Sequence, residues 1–269
     1  MQVDAYNSNN VVIYTGSVEV EIKPGEITPV SLTLNPTTGG LQITVNWGYD
    51  LQKDLVAYYP FNGNADDYSG NGYNGIVYGA TITEDRKGNF NSAYQFDGND
   101  DFIDVGGYES LRITGDLTVA LWMKVNSFDG EAIGILTQQA DNTDNPGTNA
   151  LYRLNFRDST RSLVYAHESG QGENNVYQFE NTEFEVDRWY HIAIVRNAVT
   201  KTVDLYVNGE NAGTYNYTSN PDNGELSTLR IGENQGTYFP GRFFNGILDD
   251  IYIYSRILMQ KEVQELYEQ

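Results

Sequence analysis

Apolar and polar residues alternate with a period of two over most of this chain, and this pattern constrains the fold more than any other feature. The clearest runs are Leu117–Val125, residues 189–196 and residues 202–208. Such alternation is typical of a half-buried strand, because successive side chains of a strand point to opposite faces of a sheet. In the first run, the residues on the apolar face are Leu117, Val119, Leu121, Met123 and Val125.

Turn residues separate the strands, and little of the chain has helical periodicity. Asn208 and Gly209, for example, directly follow a strand and fit a type I′ hairpin turn. Many strands joined by frequent turns predict an all-β fold in which two antiparallel sheets pack face to face. The exception is the end of the chain, where Val263, Leu266 and Tyr267 predict a short helix over residues 260–267.

Residues 1–50 form a separate block in the sequence. Alternation predicts strands over residues 18–22, 30–34 and 41–47, with strong turn signals between them. These strands resemble the closing part of an immunoglobulin-like or transthyretin-like module. Because a complete sandwich of that kind needs about 100 residues, we expect a partial segment here and a second, larger domain over residues 54–269.

The charge of the chain restricts its partners. Asp and Glu number 37 against 16 Lys and Arg, which gives a net charge of −21 at pH 7. Such a surface repels nucleic acids and anionic membranes but is compatible with divalent cations and neutral ligands; alternatively, the charge serves only solubility. The absence of cysteine excludes disulfide frameworks and thiol catalysis. No apolar run is long enough to predict insertion into a membrane.

An ordered series of short motifs along the second block resembles one known family. The motifs occupy residues 55–63, 67–71, 93–103, 117–122, 189–193, 205–209, 229–232 and 244–254. In this order they are similar to the laminin G-like jelly-roll domain of the concanavalin A-like lectin and glucanase superfamily. The resemblance implies a jelly-roll β-sandwich of two curved antiparallel sheets, secreted or displayed on a cell surface. It also implies a carbohydrate-binding or adhesive role and, in many members, a structural calcium ion.

The resemblance further implies where calcium would bind. In related sandwiches the ion joins an early loop, here with Asp67, Ser69 and Asn71, to an aspartate on the last strand, here Asp249. Calcium takes roughly six to eight oxygen ligands, which such a loop can supply. Because side chains alternate along a strand, we expect only one of Asp249 and Asp250 to face the ion. The alternative is a turn in which Asp67 and Asn71 bond their own backbone.

A second acidic cluster, formed by Asp97, Asp100 and Asp101, lies in a stretch that is also typical of a hairpin turn. The cluster lacks the spacing and the final glutamate of an EF-hand loop. We therefore interpret it first as a turn and only second as a metal site.

The sequence predicts no catalytic activity. Glycosidases of this superfamily that resemble laminarinases carry their two carboxylates on one strand in the pattern Glu-x-Asp-x-x-Glu, which this chain lacks. The nearest approach is Glu183, Glu185 and Asp187, which we expect in an exposed segment that leads into a strand. His191 matches a structural position of the resembling family.

The candidate ligand-binding residues lie within or between two polar stretches that we expect to be long loops, residues 138–149 and 167–178. Sugars are bound by flat aromatic rings together with amide, carboxylate and guanidinium groups, and long loops on a rigid sandwich often carry function. Arg153 and Arg157 share one strand face between the two stretches, and residues 235–239 form a third rim. The candidates are Tyr152, Arg157, His167, Asn174 and Tyr177.

The sequence therefore predicts a non-catalytic extracellular module that binds a glycan or another cell-surface ligand and contains structural calcium. We expect it to be part of a larger multidomain protein. Two alternatives stay open: a protein-binding structural adhesin module without a sugar site, and a glycan-degrading enzyme. An exposed aromatic platform on a sheet would favour sugar binding, and two carboxylates at glycosidase spacing in one cleft would favour the enzyme.

Overall fold

The computed structural model of the chain describes residues 2–6, 12–17, 30–34, 41–45, 49–130, 132–140, 150–157, 161–169, 173–180, 182–221, 227–235 and 242–269. The chain divides into two compact units, Met1–Leu51 and Gln52–Gln269. The candidate site residues of the sequence analysis all lie in the second unit.

The first unit contains two antiparallel hairpins. Strand β1 (Gln2–Tyr6) pairs with β2 (Val12–Ser17), and β3 (Val30–Leu34) pairs with β4 (Leu41–Val45). Strands β3 and β4 lie where alternation predicts them, whereas the strand predicted over residues 18–22 lies outside the described residues. Two hairpins do not identify an immunoglobulin-like or transthyretin-like module, so that resemblance stays a prediction.

Two sheets build the second unit. The strands of the first sheet are β5 (Leu55–Tyr59), β7 (Thr81–Thr83), β8 (Ala93–Asp97), β10 (Leu117–Val125), β15 (Trp189–Asn197), β16 (Thr202–Val207), β17 (Glu210–Asn216) and β19 (Asn245–Tyr254). The strands of the second sheet are β6 (Ile76–Tyr78), β9 (Phe102–Gly106), β11 (Ile133–Ala140), β12 (Ala150–Arg157), β13 (Ser162–Ser169), β14 (Glu173–Phe179) and β18 (Ser227–Ile231).

Every strand of these sheets runs antiparallel to its neighbours. Among the described residues, the order in the first sheet is β17-β16-β15-β10-β19-β8-β7, and β5 pairs with the second half of β19. The order in the second sheet is β14-β13-β12-β11-β18-β9-β6. Strands β14 and β6 therefore form the two edges of the second sheet.

Apolar side chains from both sheets fill the space between them. The apolar face of β10 that alternation predicts is fully buried, and it packs in one core with Leu154 and Phe156 of β12 and Ile192 and Ile194 of β15. Full burial of such a side chain contributes about 1.5–3 kcal/mol relative to exposure. The predicted all-β fold, an antiparallel two-sheet jelly-roll sandwich, is confirmed.

The predicted C-terminal helix is present as α1 (Gln260–Glu268). Glu262 stabilises its start by accepting a hydrogen bond from the Met259 N–H at 2.8 Å, and Val263 and Leu266 are buried. Tyr267 stacks on Trp122 of β10 with ring centroids 5.6 Å apart. Because Trp122 points away from the core, α1 covers part of the outer face of the first sheet. No helix among the described residues is both long and apolar enough to cross a membrane.

Candidate functional site

A row of polar side chains crosses the outer face of the second sheet. Directly paired residues of neighbouring strands share one face of a sheet. The register joins Asp104 of β9 to Arg230 of β18, Arg230 to Thr137 of β11, and Thr137 to Arg153 of β12. We call these four residues the polar row. Their strand neighbours, such as Ile103, Ile231 and Leu154, point into the core.

Charges along the polar row are balanced within the protein. Arg230 Nη1 lies 2.7 Å from Glu233 Oε2, and Arg230 Nε lies 3.6 Å from Asp104 Oδ2. Burial of Arg153 lowers the pKa of its guanidinium, and the negative charge of Glu168 opposes that change. Because each arginine has a carboxylate nearby, this face suits a neutral ligand better than an ion.

Gln235 holds the middle of the polar row rigid. Its Nε2 donates to the Thr137 carbonyl oxygen at 3.1 Å and to the Thr228 carbonyl oxygen at 2.8 Å. The Thr228 hydroxyl donates in turn to Gln235 Oε1 at 2.9 Å, and the Thr137 hydroxyl donates to the Glu233 carbonyl oxygen at 3.0 Å. Of the rim predicted over residues 235–239, only Gln235 belongs to the described residues.

Within the part of the chain that the structure describes, the buried polar atoms on this face without a hydrogen-bond partner include Gln139 Oε1, Arg153 Nε and Asn155 Oδ1. Gln139 is only 3% exposed and Asn155 only 4%. Arg153 and Asn155 are alternate residues of β12, and Gln139 lies two residues after Thr137 on the adjacent strand. A buried polar atom without a partner costs about 1–3 kcal/mol. Such atoms therefore mark a place where water or a ligand completes the bonding.

Two of the predicted ligand-binding residues lie at positions on this outer face. Arg157 is exposed at the end of β12, shares its side with Arg153 and Asn155, and donates to Gln178 Oε1 at 3.3 Å. Asn174 pairs with Glu168 across β13 and β14, which places its position on the same face. The structure thus brings these two positions into one sheet surface.

The other three predicted ligand-binding residues point inward, which does not fit a ligand contact. Tyr152 is fully buried and donates its hydroxyl proton to the Leu111 carbonyl oxygen at 2.8 Å. His167 is also fully buried, with Nε2 2.8 Å from the Ser219 carbonyl oxygen, and burial lowers its pKa to about 4. Tyr177 packs against the core and donates to Asn175 Oδ1 at 3.0 Å. The alternation of side chains along β12 already indicated that Tyr152 is buried, because Tyr152 lies on the same side of the strand as Leu154 and Phe156.

The expected long loops are shorter than the sequence suggested. Strand β11 extends to Ala140, β13 extends to Ser169 and β14 begins at Glu173, so most of residues 167–178 belong to β13 and the edge strand β14. Residues 141–149 lie outside the described residues. The polar composition of β14 misled the prediction, because an edge strand with one solvent-facing side tolerates polar side chains.

The predicted calcium loop forms a turn that satisfies its own polar groups. Asp67 Oδ1 accepts hydrogen bonds from the N–H groups of Tyr58 and Ser69 at 3.0 and 2.9 Å. Asp67 Oδ2 accepts from the Ser69 hydroxyl at 2.8 Å and from the Tyr73 N–H at 3.0 Å. Asn71 directs its amide nitrogen to the Val56 carbonyl oxygen at 2.9 Å. A carboxylate has about four acceptor positions, and those of Asp67 are therefore all used.

Asp249, the fourth predicted calcium ligand, binds an arginine. Arg86 Nη1 lies 2.7 Å from both Asp249 Oδ2 and Asp250 Oδ2, and the Tyr58 hydroxyl donates to Asp250 Oδ1 at 2.8 Å. The expectation that only one of the two aspartates faces this site was wrong. The pairing of β19 with β10 skips a residue at this point, and Asp250 has a positive φ of 45°. This bulge turns both carboxylates to the same face.

Burial strongly raises the pKa of the Asp249 carboxyl group. Burial and the adjacent charge of Asp250 raise the pKa of Asp249 to about 7, although Arg86 acts in the opposite direction. Arg86 is shared between two carboxylates, so its charge does not offset the desolvation of Asp249. A polar cleft of about 270 Å³ opens beside the pair and includes Tyr58, Asp85 and Tyr252 in its lining.

The described residues do not fit a calcium ion at the predicted place. The oxygens of Asp67 are used by the turn, Asn71 presents a donor, and Asp249 is paired with a cation. The second cluster is more open, since one ligand atom from each of Asp97, Asp100 and Asp101 lies within 4.8 Å of the others. Asp97 nevertheless caps the turn at Asn99, and Asp101 Oδ2 accepts from the Asp97 N–H at 2.8 Å.

The acidic residues weighed for catalysis lie, as expected, in an exposed segment that leads into a strand. Glu183, Glu185 and Asp187 are exposed and precede β15, and Glu185 makes an exposed ion pair with Arg188 at 3.5 Å. His191 is buried within β15, where burial and the charge of Arg86 lower its pKa to about 3. A histidine in this environment is neutral at pH 7 and structural, as predicted.

Several solved structures are similar to this chain. The binding domain of Paraclostridial Mosquitocidal Protein 1 is 22% identical, with a TM-score of 0.58 over 80% of this chain and 52% of that one. The botulinum neurotoxin serotype D binding domain is 18% identical, with a TM-score of 0.60 over 81% of this chain and 52% of that one. This chain therefore spans about half the length of these toxin domains.

A third similar structure is a single domain. Domain 4 of AbnA, a GH43 extracellular arabinanase from Geobacillus stearothermophilus, was solved in complex with arabinotriose. It is 18% identical to this chain, with a TM-score of 0.59 over 80% of this chain and 98% of that domain. At these identities the similarity establishes a shared fold.

One family model matches the sequence directly, whereas no curated protein matches it. The match, described as the concanavalin A-like lectin/glucanases superfamily, covers residues 97–264, which is more than half of the 269-residue chain. It includes strands from both sheets and all four residues of the polar row. The chain belongs to the concanavalin A-like lectin/glucanase superfamily.

Proposed function

We propose that this chain is a non-catalytic carbohydrate-binding module whose ligand lies along the polar row. The observation that carries the proposal is the set of buried atoms without partners, Gln139 Oε1, Arg153 Nε and Asn155 Oδ1. Two of these atoms accept hydrogen bonds and one donates. Sugar hydroxyls do both, so a neutral saccharide can complete all three, whereas an ion can complete only one kind.

The comparisons support a saccharide ligand. Domain 4 of AbnA was solved with arabinotriose, and the superfamily to which this chain belongs is named for lectins and glucanases. The proposal includes an extracellular or cell-surface location within a multidomain protein, because the arabinanase is described as extracellular and the two toxin domains are about twice as long as the matched region.

We infer that the chain binds its ligand without cleaving it. Hydrolysis of a glycosidic bond needs two carboxylates on opposite sides of that bond. The carboxylate of Asp104 on the polar row and that of Glu233 beside it both form an ion pair with the same arginine, Arg230. Two of the similar structures are described as binding domains. Calcium is not needed for this proposal, because none of the polar-row contacts involves the predicted calcium loop.

The test is a glycan array followed by titration calorimetry on the saccharides that bind. The informative variant is Arg153→Lys, which keeps the positive charge beside Glu168 but removes the Nε donor and the planar guanidinium. We expect Arg153→Lys to weaken binding about tenfold, as the loss of one hydrogen bond to a charged group does. The matched control is Arg188→Lys, because Arg188 is an exposed arginine that does not belong to the polar row.

Three outcomes distinguish the functions. Binding of a neutral glycan that is weakened by Arg153→Lys and unaffected by Arg188→Lys supports the proposal. A uniformly negative array contradicts it and favours the protein-binding adhesin module. Release of reducing ends from a polysaccharide by the pure chain contradicts the non-catalytic part.

A further inference from the structure

The open edge of the second sheet carries three stacked groups on the same face as the polar row. Tyr78 of β6 is paired with Phe102 of β9, and their rings stack with centroids 4.6 Å apart and planes 13° from parallel. On the other side of β9, the guanidinium carbon of Arg230 lies 4.8 Å from the Phe102 ring centroid. Phe102 is therefore held between a tyrosine and an arginine.

The inner end of this stack is fixed. Arg230 cannot move away from Phe102 without losing its ion pairs with Glu233 at 2.7 Å and Asp104 at 3.6 Å. The cation–π contact with Arg230 restrains the orientation of the Phe102 ring. Stacking on Phe102 in turn restrains the ring of Tyr78. The orientation of the Tyr78 ring is thus set before any ligand arrives, which lowers the entropy cost of binding.

The outer end of the stack is open. β6 is the edge strand, and Tyr78 is 46% exposed although one face of its ring is covered by Phe102. Its neighbour Ile76 on the same face is also exposed. A tyrosine ring with one supported face and one free face offers an apolar surface for a planar ligand and a hydroxyl for hydrogen bonding.

We propose that Tyr78 is the terminal stacking subsite for a neutral oligosaccharide that extends along the polar row. This inference rests on the proposed carbohydrate-binding function and names the size and class of its ligand. Tyr78 and Arg153 lie four strand spacings apart, on β6 and β12 with three strands between them. At about 4.8 Å per spacing the span is about 19 Å, which a single sugar does not bridge.

Other occupants suit this surface less well. A nucleic acid base could stack on Tyr78, but a net charge of −21 repels the phosphate backbone that accompanies it. A second copy of the chain would bring the same negative charge to the interface. A neutral oligosaccharide meets neither obstacle, and its apolar C–H face matches the free side of the ring.

The test measures affinity against ligand length, with arabino-, xylo- and gluco-oligosaccharides from the monosaccharide to the hexasaccharide. For the full chain we expect affinity to increase with length until the ligand reaches Tyr78. Tyr78→Ala should remove the last part of this increase, a loss of roughly three- to tenfold for the longest ligands. It should leave binding of the shorter ligands unchanged, and Tyr78→Phe should retain most of the increase because the ring remains.

Tyr108→Ala is the matched control, because Tyr108 is 43% exposed but packs against Tyr73 rather than on the stack. Phe102→Leu should lower affinity for the longest ligands by a smaller factor than Tyr78→Ala, since it removes only the support of the ring. If Tyr78→Ala binds the hexasaccharide as tightly as the unmodified chain, the subsite is wrong and the proposed function stands. If the unmodified chain binds none of these series and no glycan on the array, both fail.

Discussion

The outer faces of the two sheets differ in how their buried polar groups are paired. On the first sheet, Arg86 pairs with both Asp249 and Asp250, and its guanidinium carbon lies 4.5 Å from the ring centroid of Trp122. Helix α1 packs beside this cluster through Tyr267. On the second sheet, Arg153 Nε and Asn155 Oδ1 are buried atoms that no described protein group bonds.

This difference separates a cluster whose charges are paired within the protein from one in which buried polar atoms lack a partner among the described residues. A buried charge pair whose bonds are complete destabilises the protein mainly when one partner is removed. A buried polar atom without a partner already costs free energy, which a ligand can recover. We therefore expect variants on the first sheet to change stability and variants on the second sheet to change binding.

The largest effect is expected from Arg86→Met. It leaves the buried carboxylate of Asp249 and the partly exposed carboxylate of Asp250 without their cation, and removal of one partner from a buried ion pair costs about 3–5 kcal/mol. The free energy of unfolding, measured by chemical denaturation at mildly alkaline pH where Asp249 is ionised, should fall by that amount. Arg188→Met, at an exposed ion pair, should change it by less than about 1 kcal/mol. Equal losses of unfolding free energy in Arg86→Met and Arg188→Met would show that the Arg86 cluster does not stabilise the fold more than an exposed ion pair does.

A smaller effect is expected when the pH dependence of Asp249→Asn is compared with that of the unmodified chain. The pKa of Asp249 is raised from 3.8 to about 7 on folding, so the folded state binds this proton more tightly than the unfolded state. The contribution of Asp249 to stability is then fully present below about pH 3.8 and is lost as the pH rises through 7. The free energy of unfolding of the unmodified chain should therefore fall relative to that of the variant over this interval. If the difference in unfolding free energy between the two proteins does not change with pH, the raised pKa of Asp249 is contradicted.

Asn155→Val sharpens the comparison on the other sheet. Valine removes the unpartnered Oδ1 and suits a strand, so stability should be unchanged or slightly higher, within about 1 kcal/mol. Binding of an array-positive glycan should weaken about tenfold by calorimetry. A variant that loses stability but retains affinity would assign Asn155 to the scaffold.

The smallest effect is expected from calcium. Binding of a metal to the folded state alone must raise the melting temperature. Because Asp67 and Asp249 are already occupied by protein groups, excess calcium chloride and EDTA should give melting temperatures within about 1 °C of each other. A clear rise with calcium would restore the original prediction, and loss of that rise in Asp101→Asn would place the ion at the second acidic cluster.

Local patterns in the sequence predicted the fold because strand alternation is a local property. The run Leu117–Val125 and the helix α1 lie where the periodicity indicates them. The site depends instead on register between distant segments. Asp104, Arg153 and Arg230 form one row only because of the order β9, β18, β11 and β12, and no spacing along the chain reveals that order.

Two errors have local physical causes. The bulge at Asp250 breaks the alternation on which the choice between Asp249 and Asp250 rested. Tyr152 was selected because tyrosine rings bind sugars, although it lies on the same side of β12 as Leu154 and Phe156, which are buried. Arg153 and Asn155, in contrast, lie on the same side of β12 as Arg157. The polar side of β12 was therefore visible in the sequence, whereas the strands that lie beside it were not.

Chemical-shift mapping by NMR, with an array-positive neutral oligosaccharide titrated into the full chain, locates the ligand on one of the two sheets. We expect the backbone amides that shift to belong to β6, β9, β18, β11 and β12, and those around Arg86 and Asp249 on the first sheet not to shift. Shifts confined to the first sheet, or to segments away from the polar row, would contradict the proposed binding site.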